Sequence, residues 1–109
     1  MSTRKKIDVR ASNAAGLIDY QKDAIVSREI LKQKTGSVTV FAFDAGQGLS
    51  EHTAPFNALV LVLDGEAGVT VAGKHHRVQA GELILMPDGQ PHALKADQRF
   101  KMMLTMLRA

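Results

Sequence analysis

The stretch "GELILMPDGQPH" (residues 81–92) spaces Gly81, Pro87, Gly89 and His92 along a short apolar run and a turn. Leu83 to Met86 have the composition of a buried strand, bounded by Gly81 on one side and Pro87 on the other. Pro87 has no N–H to offer a ladder, so it ends that strand or lies at its edge. Gly89 allows a tight turn with positive φ. Pro91 stiffens the start of the next strand. His92 stands at that strand's first turn, with Leu94 and Ala96 on the same face by period two. Read alone, the unit is a strand, a turn and a strand with an incidental histidine.

The rest of the chain repeats this rhythm. "SVTVFAF" (37–43), "ALVLVLD" (58–64), "EAGVTVAG" (66–73) and "RFKMMLTML" (99–107) are short apolar or β-branched runs separated by glycine turns. Asp64-Gly65 is the strongest hairpin signal, and it predicts that 66–73 folds back on 58–64. Gly73-Lys74 begins the next turn. "AIVSREILKQ" (24–33) alternates weakly and reads as a strand that "KTGS" (34–37) turns back onto 38–43. "SNAAGLIDY" (12–20) predicts a short N-terminal helix or arm, with Ser12 or Asn13 as its cap. Short strands with regular turn signals define an all-β sandwich or barrel.

Two runs, "ALVLVL" and "MMLTML", are apolar at nearly every position rather than at alternate ones. Such strands need cover on both faces. They predict a second layer within the chain and also a homodimer. The strand around Ile25 to Leu31 is the element expected to pack on or pair with the partner.

Composition sets the outer limits. A chain of 109 residues is a single domain, divided here into a basic start (1–10) and one barrel domain (11–109). Arg4, Lys5, Lys6 and Arg10 against Asp8 give +3 in the first ten residues, and the other ten basic and ten acidic residues cancel. A nucleic-acid face needs basic residues clustered on a folded surface, so no nucleic-acid partner is expected. No run is long and apolar enough to span a membrane, and no membrane partner is expected. The chain has no cysteine, which excludes disulfides and thiolate metal sites. The expected location is cytoplasmic.

A second spaced segment gives His92 a context. "GQGLSEHTAPFNALVLVLDG" (46–65) carries Gly46, His52, Ala54, Ala58 and Gly65. This resembles the first signature of the cupin superfamily: glycine, five residues, His-x-His, three or four residues, glutamate, six residues, glycine. Gly81, Pro87, Gly89 and His92 match the second signature: glycine, five residues, Pro-x-Gly, two residues, histidine. Fifteen residues, 66 to 80, separate the two. The resemblance implies a double-stranded β-helix, the jelly-roll barrel of RmlC-like cupins. It also implies a metal held by two His and a Glu from the first signature and a His from the second, a set suited to Fe, Mn, Zn, Ni or Cu. His52 and His92 keep two of those positions. Ala54 stands where the second His would be, Ala58 replaces the Glu, and Ala96 replaces the asparagine that ends the second signature.

The resemblance therefore implies a degenerate metal site on His52 and His92. It would hold Zn, Ni, Fe or Mn weakly, or no cofactor at all. Gln47, Glu51 and Asn57 are the neighbours that could substitute as ligands. The two alanines also remove bulk, and they predict a mostly apolar pocket lined by His52, Ala54, Ala58, Val60, Val62, Met86, His92, Leu94 and Met102. The bland alternative is that side chains fill this space, for which methionine is well suited. His75 and His76 are adjacent, face opposite sides of a strand, and are read as neither ligands nor catalysts. Glu51 and Asp88 are the carboxylates to consider as acid or base, beside His52 and His92. Three functions fit. The first is a module binding a small, mostly apolar ligand. The second is a metal-dependent enzyme of dioxygenase or isomerase type. The third is a metal-free enzyme with a histidine general base.

Overall fold

The computed structural model describes residues 9–109, so most of the basic start read above lies outside the described residues. The strands are β1 (Ile25–Gln33), β2 (Gly36–Phe43), β3 (Gly48–His52), β4 (Phe56–Asp64), β5 (Glu66–Val71), β6 (Lys74–Gln79), β7 (Leu83–Met86), β8 (His92–Lys95) and β9 (Phe100–Arg108). They form a five-stranded sheet in the order β1-β2-β9-β4-β7 and a four-stranded sheet in the order β3-β8-β5-β6. Every paired neighbour is antiparallel. This is the all-β sandwich that the strand pattern predicts, arranged as the jelly roll that the cupin resemblance implies. Among the described residues no helix is long and apolar enough to cross a membrane.

Alternation along each strand builds the core. Ala58, Val60 and Val62 of β4, Met102 and Phe100 of β9, and Phe43 of β2 meet Ala67, Val69, Val78 and Leu94 from the other sheet. Phe43 and Phe100 stack with ring centroids 4.6 Å apart and planes inclined by 13°. These buried side chains drive the two sheets together, each large one contributing about 1.5–3 kcal/mol.

One sequence expectation is corrected. Asp64-Gly65 does not close a hairpin, because β4 pairs with β7 and β9 and β5 pairs with β6 and β8. Both edges of β4 are taken, so the chain turns a corner and crosses to the opposite sheet. Gly65 is required there: its φ is +75°, and a Cβ would lie 2.4 Å from the Arg99 carbonyl oxygen. The tight hairpin falls one turn later, at Ala72-Gly73 between the paired residues Val71 and Lys74.

The N-terminal segment supplies part of the second layer. Asn13 caps a 3-10 turn, Ala14–Leu17, by accepting the Ala15 N–H at 3.1 Å. Leu17, Ile18 and Tyr20 then pack on Val40, Ala42, Val26, Ile30, Leu63 and Met103, on the outer face of the five-stranded sheet. Polar contacts pin this arm. Lys101 Nζ donates to the Ala15 carbonyl at 2.7 Å and Arg28 to the Leu17 carbonyl at 3.2 Å. The Tyr20 hydroxyl donates to Asp64 at 2.5 Å, and the Arg99 guanidinium lies 4.4 Å from its ring centroid.

Burial pushes the Tyr20 phenol well above its usual value of 10.0, reinforced by the hydrogen bond to Asp64 and that residue's negative charge. A raised phenol stabilises the fold fully below about pH 10, the unfolded value, and the contribution is lost as pH rises through the folded value. Tyr20→Phe should therefore cost about 1 kcal/mol in urea melts at pH 7. The variant should also lack the part of the alkaline destabilisation that wild type shows above about pH 10.

Candidate functional site

The site lies where the inner faces of the two sheets open at one end. His92 opens β8 and is the only buried polar or charged residue among the described residues, at 6% exposure. His52 ends β3 on the exposed rim and is the register partner of His92. Their ring centroids are 4.4 Å apart, with planes inclined by 68°.

A β-bulge makes this pairing possible. Leu49 pairs with Leu94, and His52 pairs with His92. Three residues of β3 thus span two residues of β8, and the extra residue resets the alternation. Leu49 and His52, an odd number apart, consequently face the same space.

Both rings are oriented by the backbone. His52 Nδ1 lies 2.8 Å from the Ser50 carbonyl oxygen, and His92 Nδ1 lies 3.0 Å from the Gln90 carbonyl oxygen. A carbonyl can only accept, so each Nδ1 carries the proton. In the neutral rings Nε2 is then left with a free lone pair, and neither Nε2 has a hydrogen-bond partner among the described residues. Metal-ligating and ligand-accepting histidines are commonly oriented this way.

The opening motif now has a physical reading. Pro87 follows the last residue of β7, and Gly89 turns the chain at φ +75°. The Gln90 N–H donates to the Pro87 carbonyl at 3.2 Å, which leaves the Gln90 carbonyl to orient His92. The turn is tied across the mouth: Gly89 N–H donates to the Ala54 carbonyl at 3.1 Å, and Asp88 N–H donates to Asn57 Oδ1 at 3.0 Å.

A cavity of about 70 Å³ lies behind the two histidines. His52, Ala54, Ala58, Met86, His92, Leu94 and Met102 line it. Val60 and Val62 are packed into the closed core and do not line it. Leu49, Leu104 and Met106 complete the wall. Extending the alternation of β9 from Met102 would have found Leu104 and Met106, whereas Leu49 was hidden by the bulge. Glu51 and Asp88 are exposed and do not line the cavity. Neither do Gln47 and Asn57, and the Asn57 amide is engaged in holding the turn. His75 is exposed and His76 half-buried, and neither borders the cavity. A larger depression of about 410 Å³, lined in part by Gly48, Gly68, Thr70, His75 and Lys95, is more open and has no buried polar group. The mouth cavity is the better candidate, because its polar atoms converge.

The Cupin domain family model matches residues 39–107. The chain is a cupin. A conserved protein of unknown function from Streptococcus pyogenes is 32% identical over 100% of this chain and 96% of that one, with a TM-score of 0.91. A cupin 2 conserved barrel domain protein from Leptotrichia buccalis is 37% identical over 86% of this chain, which matches 46% of that longer protein, with a TM-score of 0.83. Salicylate 1,2-dioxygenase from Pseudoaminobacter salicylatoxidans shares the fold alone, at 15% identity over 75% of this chain and 26% of that one and a TM-score of 0.69. No curated protein matches the chain significantly.

Cupins often bind metals, and the donor set here can be tested against that. Among the described residues no group of three or more His, Cys, Asp or Glu is arranged to hold an ion. Ala54 and Ala58 line the cavity at the positions where the family carries ligands, and no carboxylate reaches it. The residues do not fit the family's four-ligand centre. Because both alanines border the cavity, Ala54→His with Ala58→Glu should rebuild it. Calorimetric titration should then give Zn(II) binding at least about tenfold tighter than wild type.

Proposed function

We propose that this cupin is a binding module. Its ligand is small and mostly apolar, with one polar group hydrogen-bonded to the free Nε2 of His92 and His52. The observation that carries this reading is the pair of backbone-oriented imidazoles set over an apolar wall without a carboxylate. Binding sites of this kind use few convergent polar groups on an apolar surface. The cavity of about 70 Å³ takes a ligand of only a few heavy atoms directly. An aromatic ring needs about 150 Å³. Met106 and Leu104 are half-buried, and the unbranched thioether side chain adapts its shape readily. Enzymatic readings are less well supported, because among the described residues the two imidazoles are the only titratable groups lining the cavity.

Isobutanol and phenol, whose hydroxyls can donate to Nε2, are suitable probes. In wild type, NMR titration should shift the His92 ring signals and the methyl signals of Met86, Met102 and Met106, with Kd near millimolar, about −4 kcal/mol. His92→Ala should abolish the response, and Met106→Ala should favour phenol. No response to either probe would refute the binding reading.

We further propose that the module works as a homodimer joined through the outer face of its five-stranded sheet. One register row crosses that sheet as Leu31, Val38, Thr105, Leu59 and Leu85. The N-terminal arm covers the neighbouring part of the face, but Leu31, Leu59, Leu83, Leu85 and Leu107 are 39–63% exposed. An apolar strip of this kind is unusual on a small monomer and is self-complementary about a two-fold axis. Sedimentation at micromolar concentration should give twice the 11.8 kDa chain mass. Leu59→Lys with Leu85→Lys should give the monomer without unfolding it. A monomeric wild type would exclude the dimer.

A further inference from the structure

The position that distinguishes this barrel from a metal-binding cupin is Ala58, and its neighbours across both strands are methionines. Met86 of β7 and Met106 of β9 are its two register partners. Met102, four residues earlier on β9 than Met106, lines the same cavity. Thioethers thus surround the place where the family carries a carboxylate, facing two imidazoles with free Nε2 atoms.

From this arrangement we infer that the cavity is a site for a soft monovalent cation, Cu(I), held by Nε2 of His52 and His92 and the thioether sulfurs of Met86 and Met106. The inference goes beyond the binding reading above, assigning the same cavity and Nε2 atoms a different ligand. Three physical arguments support it. Thioether donors favour soft Cu(I), which imidazole also ligates, whereas hard divalent ions favour carboxylate and water. Among the described residues, none that lines the cavity carries a negative charge to offset a cation. The Born cost of burying an ion grows with the square of its charge, so a monovalent ion pays about a quarter of the cost of a divalent ion of equal size. The volume of about 70 Å³ also suits an ion with at most a small extra ligand.

The competing explanation is that methionines merely fill the space beside two alanines. Leucine distinguishes the two, since it keeps the bulk and removes the sulfur. The test is an anaerobic titration with Cu(I), kept reduced by ascorbate, against the chromogenic competitor bicinchoninate. Wild type should bind one Cu(I) per chain. Met86→Leu with Met106→Leu should bind at least tenfold more weakly, and sulfur scattering should disappear from the copper-edge X-ray absorption spectrum. Should the double variant not fold, Met106→Leu at the half-buried position should show a smaller weakening in the same direction. His92→Ala should lose binding, while His75→Ala with His76→Ala should retain it. Leucine variants that bind Cu(I) as tightly as wild type would overturn the inference. A His92 ring that responds to isobutanol or phenol but not to Cu(I) would overturn this inference and leave the binding module standing. A ring that responds to none of the three would overturn both.

Discussion

β4 and β9 lie side by side at the centre of the larger sheet and are apolar on both faces, and the rest of the molecule answers to that constraint. Ala58, Val60 and Val62 face inward, whereas Leu59, Leu61 and Leu63 of the same strand face outward. A single sheet cannot bury both sets. The second sheet covers the inner set, and β4 can reach it only by a corner, since β7 and β9 occupy both of its edges. Gly65 makes that corner at the one point where a side chain would strike the Arg99 backbone. The N-terminal arm covers part of the outer set, held by Ile18, by the hydrogen bond from the Tyr20 hydroxyl to Asp64 and by those from Lys101 and Arg28 to arm carbonyls.

The site arises where this packing runs out. Toward the mouth the wall changes from the fully buried Val60 and Val62 to the smaller Ala58 and Ala54. Loop chemistry then places the polar groups. The bulge in β3 brings His52 to the inner side, and the Pro87–Gly89 turn delivers His92 beside it. The hydrogen bonds from Gly89 to Ala54 and from Asp88 to Asn57 join these two segments into one rim. The geometry of the imidazole pair therefore depends on backbone bonds within and between short loops, each of which contributes only about 1 kcal/mol.

Much of this was legible in the sequence because strand alternation is local. The strands, the cap at Asn13 and the inward row from Ala58 to Val62 follow from period two and turn residues. So does the grouping of Ala54, Ala58, Met86, Leu94 and Met102 with the two histidines, once the cupin spacing is recognised. What escaped was non-local. The Asp64-Gly65 signal has the local form of a hairpin, and only the occupancy of the edges of β4 makes it a corner. Leu49 sits out of phase by one residue, because a bulge is a property of two paired strands rather than of one. The depth of the cavity also depends on how Leu104 and Met106 fill it from a strand some fifty residues away in the chain.

The two alanines and the two histidines make opposite demands on the same few ångströms. An unpaired buried carboxylate costs several kcal/mol, so a barrel that carries no divalent ion is more stable with alanine at position 58. The same reasoning applied to His92 favours an apolar residue, because a buried imidazole offers polar atoms that must be satisfied. The Gln90 carbonyl satisfies Nδ1 and nothing in the described chain engages Nε2. Packing alone thus accounts for Ala54 and Ala58, but not for a 6%-exposed histidine paired with another at 4.4 Å. Among the described residues no sealed side-chain polar atom is left without a partner, so Nε2 is open to solvent and to a ligand entering the mouth. The binding reading proposed above gives the pair its role, since a ligand held through the free Nε2 atoms would offset the cost of burying the ring.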